Sequence, residues 1–75
     1  MRGPREERIS EARARLSGVE SLLATAERDL ERTRKLVKQG VLAPDRLDRH
    51  QARRDDALAS RDAARAVLQE LEWGT

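Results

Sequence analysis

The sequence predicts an all-α chain, an antiparallel two-helix coiled-coil hairpin that self-associates. Three observations carry this. Ile9, Ala12, Leu16, Val19, Leu23, Ala26, Leu30, Thr33 and Val37 follow one another at alternating spacings of three and four without a break. That is a heptad seam, the pattern of a helix lying along another helix. The pattern then stops at a cluster of helix-breaking residues, Gln39-Gly40-Val41-Leu42-Ala43-Pro44-Asp45. Finally, among 75 residues, eleven are Ala and ten are Leu, against four Val, one Ile and a single aromatic, Trp73. Such a chain fills a narrow seam between helices but not a three-dimensional core. Its commonest residues are also strong helix formers.

The first helix is expected over about residues 5–38, roughly 50 Å long at about 1.5 Å per residue. Within it only Gly18 weakens the helix, by about 1 kcal/mol relative to Ala. The turn is expected at about residues 39–43. Gly40 can take the left-handed conformation that ends a helix. Pro44 suits the first turn of the next helix, where its missing N–H is harmless. Asp45 and Asp48 favour the positive end of that helix's dipole. The second helix, over about residues 44–72, has Leu47, Leu58, Leu68 and Leu71 as large anchors, with Ala57 and Ala64 between them. Its seam reads less cleanly. Symmetry about the tip sets Val37 opposite Leu47, Leu30 opposite Arg54, Ala26 opposite Leu58, Leu23 opposite Arg61 and Leu16 opposite Leu68. Arg54 and Arg61 thus fall near the seam, where their stems can cover apolar surface while the guanidinium groups reach water. Glu20, Glu27 and Glu31 are their expected partners. Leu22, Leu36 and Val67 lie off the seam, and a hairpin this thin buries little, which is why a second copy is expected.

Several classes fall away. No apolar run approaches the ~20 residues that cross a bilayer. Met1-Arg2-Gly3-Pro4-Arg5-Glu6-Glu7 has no apolar stretch after it and is not a secretory signal. The absence of cysteine excludes a disulfide framework and a zinc–thiolate site. Forty percent of the chain is charged, yet the net charge is only +2 and the apolar residues are periodic, which argues against disorder. Gly3-Pro4 and Gly74-Thr75 read as frayed or appended ends. They fall at the same end of the hairpin, which suits an insertion in, or a fragment of, something larger.

Catalytic chemistry has no support in the residues. His50 is the only histidine, and Asp48 and Asp55 lie on other helix faces than His50 does. Asp55-Asp56 are adjacent on a helix, so their carboxylates diverge. Gly40 stands alone rather than in a phosphate-binding loop. The chain is therefore read as a non-enzyme, with no catalytic, cofactor-binding or metal-binding residue.

Charge is more informative. From Arg32 to Arg54 there are eight basic residues and two acids, a net +6; the rest of the chain has eight basic and twelve acidic residues, a net −4. Folding back at Gly40 gathers the positive charge at the tip half and the negative charge at the open end. A rod so polarised offers its tip to an acidic partner. Val41 and Leu42 are too large to be buried together in so short a turn, so one of them stays available for docking. Arg32 and Leu36, one helical turn apart, share a flank just before the turn.

The run Leu30-Glu31-Arg32-Thr33-Arg34-Lys35-Leu36-Val37-Lys38-Gln39-Gly40-Val41-Leu42-Ala43-Pro44-Asp45-Arg46-Leu47-Asp48 closely resembles the tip of the α-helical hairpin in periplasmic adaptor proteins. These are the membrane fusion proteins, HlyD type, of tripartite efflux pumps and type I secretion systems. Arg32 and Leu36 occupy the family's Arg and Leu positions, Gly40 lies in its turn, and Leu47-Asp48 fits its return pair. An Ala-rich return helix follows. The family's small hydroxyl residue falls at Ala43, a departure that removes a helix-capping oxygen and one contact. The resemblance implies a hairpin whose tip, Arg32, Leu36, Gly40, Val41, Leu42 and Ala43, docks the periplasmic end of a TolC-like outer-membrane channel. It implies neighbouring hairpins packed side by side, a location in the periplasm or cell envelope of a larger parent protein, and no insertion of this segment into the membrane.

Two other readings of the same residues stand beside it. The +6 tip suits a nucleic-acid-binding coiled-coil arm, although the tip has no aromatic on which a base could stack, which disfavours nucleic acid. A generic dimerisation coiled coil needs no tip function at all.

Overall fold

The computed structural model describes residues 3–74. Met1, Arg2 and Thr75 lie outside the described residues, and with them part of the readings made for Met1–Glu7 and Gly74-Thr75. Among the described residues there are two helices and no strand: α1, Pro4–Lys38, and α2, Asp45–Trp73. They pack antiparallel into a rod of 58 × 21 × 12 Å. Both helices begin and end within one residue of the bounds expected from sequence.

Local chemistry explains the ends. Pro4 opens α1 where its missing N–H is harmless, and Glu6 and Glu7 follow in the first turn, with Lys35 and Lys38 in the last. These charges complement the helix dipole at both ends. Asp45 and Asp48 do the same at the start of α2, but its last turn has no basic residue of its own. Arg5 of α1 fills that role. Its Nη2 donates to the carbonyls of Leu71 at 2.9 Å and Glu72 at 3.1 Å. A guanidinium from one helix therefore satisfies the otherwise orphaned carbonyls at the end of the other.

The α1 seam is as the spacing predicts. Ala12, Val19, Leu23, Leu30 and Thr33 are buried, and Ile9, Leu16, Ala26 and Val37 are half-buried. Fully burying one leucine contributes about 1.5–3 kcal/mol, so Leu23 and Leu30 are the main anchors of a thin core. Arg13 pairs with Glu72 at 2.8 Å, and Ala12 and Leu71 line one cleft. Both pairs lie within a residue of the register that symmetry about the tip demands.

The α2 seam proves more regular than the leucines alone suggest. Leu47, His50, Arg54, Ala57, Arg61, Ala64, Leu68 and Leu71 are all buried or half-buried, and their spacings alternate three and four without a break. Three of the eight are polar, which hides the repeat from a search for apolar residues. Arg54 and Arg61 do lay their stems along the seam, but their partners differ from those expected. The Nε of each donates to the carboxylate next in sequence, Asp55 and Asp62, at 2.8 Å. Glu31 instead pairs with Arg34.

Candidate docking tip

The tip is built by the end of α1. Gln39 closes the helix with helical angles, and Gly40 follows at φ +79°. The Gly40 amide donates to the Val37 carbonyl at 3.0 Å, and the Val41 amide to the Leu36 carbonyl at 2.8 Å. This pair of bonds is the Schellman motif, which requires a left-handed residue after the helix and therefore favours glycine. The Leu42 amide also donates to Leu36, at 3.3 Å, so one carbonyl gathers two turn residues. On the return, the Arg46 amide donates to Ala43 at 3.1 Å and the Leu47 amide to Pro44 at 3.0 Å. Pro44 already has helical angles, φ −58° and ψ −26°. No side chain caps this N-terminus; neither Pro44 nor Ala43 before it has a side-chain oxygen to offer.

The six residues singled out by sequence are thus brought together at one end of the rod, with different exposures. Arg32 is exposed and lies 3.8 Å from Asp29 across one helical turn. Leu36 is half-buried. Gly40 and Ala43 are exposed, Leu42 is half-buried, and Val41 is 64% exposed. The expected division between the two apolar turn residues is therefore present: Leu42 folds inward and Val41 faces out.

Basic side chains surround this patch. Arg34 and Arg49 hold Glu31 and Asp45 at 3.2 and 3.8 Å. Lys35, Lys38, Arg46 and Arg53 are exposed and, among the described residues, have no carboxylate within ion-pair distance. They were counted in the charge split but not among the site residues; for Lys35, Lys38 and Arg46 the nearness to Gly40 in the chain was the signal. Together they give the tip half of the rod a positive field.

His50 is half-buried at a seam position. Among the described residues no three metal-ligating side chains gather closely enough to hold an ion. Compared with protein-family models, curated proteins and solved structures, the chain has no match.

Proposed function

We propose that this hairpin is the coiled-coil arm of a periplasmic adaptor, docking by its tip to an outer-membrane channel of an efflux or secretion pump. The observation that supports it most is the tip itself. An exposed Val41 is held beside half-buried Leu36 and Leu42 by hydrogen bonds to one carbonyl, with exposed Lys35, Lys38 and Arg46 close by in the chain, at the end of a 58 Å rod. The resemblance of the run Leu30 to Asp48 to adaptor tips points to the channel as partner.

The mechanism is recognition, not chemistry. A rigid turn loses little conformational freedom on binding, so most of its contact energy is realised as affinity. The apolar patch is nevertheless small. Covering one valine is worth about 1–2 kcal/mol, far short of a stable complex. Several parallel arms engaging one channel would add their contacts at high effective concentration, and an adaptor assembled from side-by-side hairpins does this. No described helix is long and apolar enough to cross a membrane, and the proposed location is the periplasm or cell envelope.

The test is transport by the parent pump. Arg32→Ala and Val41→Asp leave helicity and melting nearly unchanged, since both side chains are exposed, and abolish or sharply reduce transport. Normal transport by both variants, with loss only in a seam variant such as Leu30→Ala, would make the hairpin a spacer. One observation favours a second reading, a nucleic-acid-binding arm: the unpaired Lys35, Lys38, Arg46 and Arg53. A gel-shift whose affinity falls steeply with salt would support that reading and displace the first.

A further inference from the structure

The two broad faces of the rod differ in kind. Residues just before Leu16, Leu23 and Val37 in α1 and just before Leu68 in α2 line one broad face. These are Arg15, Leu22, Leu36 and Val67. Residues just after Ala12 in α1 and after Leu71 in α2 line the other, as the Arg13–Glu72 pair shows. The assignment of the first face is independently visible, because Arg15 and Val67 line one cleft with Ala12 and Leu71. Leu22 and Val67 are 66% and 51% exposed. With half-buried Leu36 they set three large apolar side chains on one face, among Arg8, Arg15, Asp29, Arg46 and Arg53, whereas the opposite face has half-buried Leu58 as its one large apolar side chain beside Arg13, Glu20, Glu27 and Arg34.

We propose that a second copy of this chain covers the Leu22–Val67 face in antiparallel orientation, making a four-helix bundle with a two-fold axis close to Leu22. The area suffices. A face of 58 × 21 Å exceeds the roughly 800 Å² per partner of a stable protein interface. Its position suits a two-fold. Leu22 lies one residue from the middle of α1, Pro4–Lys38, so an axis there gives complete overlap of the rods and packs Leu22 on the same residue of its mate. Leu36 and Arg8 stand at equal distances on either side of Leu22. The axis therefore carries Leu36 of each copy to the cleft lined by Arg8, Ala12, Val67 and Leu71 of the other.

Charge sets the direction. In a parallel pair the two +6 tip halves would lie together. In an antiparallel pair each lies along the −4 half of the other. The dimer covers Leu36 and sends the two tips apart, so it is a state of the free chain that docking of parallel arms would displace; its test reads a label distance and not transport, and either proposal can fail without the other.

The experiment uses the chain's lack of cysteine. Gln39→Cys, exposed at the tip, receives a nitroxide label, and the distance between labels is read by pulsed electron resonance. The antiparallel dimer puts the two tips about 50 Å apart, nearly the length of α1 at about 1.5 Å per residue. Separations of about 20 Å or less mean parallel packing and overturn the proposal. So does a monomer in sedimentation at 100 μM, on the order of a concentration at which even a weak interface of this size assembles. Leu22→Glu weakens dimerisation at least tenfold, while Ser21→Glu, adding the same charge on the outer surface, does not. Equal effects of the two overturn the assignment of the face. Should Leu22→Glu unfold the hairpin, the label distance measured with Leu22 intact decides the matter.

Discussion

The amide of Val41 donates to the carbonyl of Leu36 at 2.8 Å, across the left-handed Gly40. This bond ends α1 and leaves Val41 exposed, so the backbone device that stops the helix also presents the side chain proposed to dock. Space is not what restricts position 40, since a Cβ there meets nothing within 4 Å. The restriction is the φ of +79°. Gly40→Ala therefore destabilises the hairpin by about 1–2 kcal/mol, the cost of a left-handed L-residue. In a chain of this size that lowers the melting temperature by about 4 °C or more. Gly40→Asn, which tolerates the conformation better, recovers part of the loss. Equal melting of the Ala variant and the parent at one protein concentration would contradict this.

Ala43 offers the opposite opportunity. The first turn of α2 has no side-chain cap, and the residue before Pro44 is well placed to supply one. Ala43→Ser adds an oxygen that accepts from an exposed amide of that turn and stabilises by about 1 kcal/mol. The expected result is a higher melting temperature and slower hydrogen exchange at Asp45, whose amide, unlike that of Arg46, has no backbone partner in the turn. Unchanged exchange at that amide would show that the hydroxyl does not reach it.

How far the sequence was legible depended on what kind of signal each residue carried. The α1 seam was plain because eight of its nine positions are apolar. The α2 seam has the same spacing, but His50, Arg54 and Arg61 occupy three of its positions, so polarity masked periodicity. Their partners were misassigned because a guanidinium reaches many carboxylates, and only the packed geometry selects Asp55 and Asp62. The turn was readable from Gly40 and Pro44. Which of Val41 and Leu42 faces out was not, since that follows from the hydrogen bonds closing the Schellman motif. The six tip residues were chosen by chain position, and their partner rests on resemblance, because contact chemistry this generic names no ligand.

Gly18 tests the helix itself. It is exposed in the middle of α1, and a Cβ there would meet nothing within 4 Å. Gly18→Ala removes backbone freedom from the unfolded chain and adds no clash, for a gain of about 1 kcal/mol. Thermal unfolding followed by circular dichroism should shift upward by several degrees. A shift downward would mean that position 18 is covered in solution by something the hairpin alone does not contain.

Arg5 closes the other end of the rod, and sequence gave no hint of it, because its two acceptors lie 66 and 67 residues away in the chain. A single nitrogen, Nη2, donates to both the Leu71 and Glu72 carbonyls, at the end of a side chain one atom longer than that of lysine. It also brings positive charge to the negative end of the α2 dipole, where such a charge is worth about 0.3–1 kcal/mol. Arg5→Ala therefore loses both contributions, and Arg5→Lys keeps the charge but, with its shorter reach, weakens the two hydrogen bonds. The expected order of stability is parent, then Lys, then Ala, with the differences concentrated in the last turn of α2. Hydrogen exchange of the Gly74 amide, which donates to Glu70 at 3.1 Å, reads that turn directly. Trp73, the only aromatic and strongly exposed, offers a second probe through its fluorescence anisotropy. Exchange at Gly74 should be fastest in the Ala variant, while amides near Gly40 keep their protection relative to the global unfolding rate. If Gly74 exchanges equally in all three proteins, the Arg5 bridge contributes nothing to holding the end of α2.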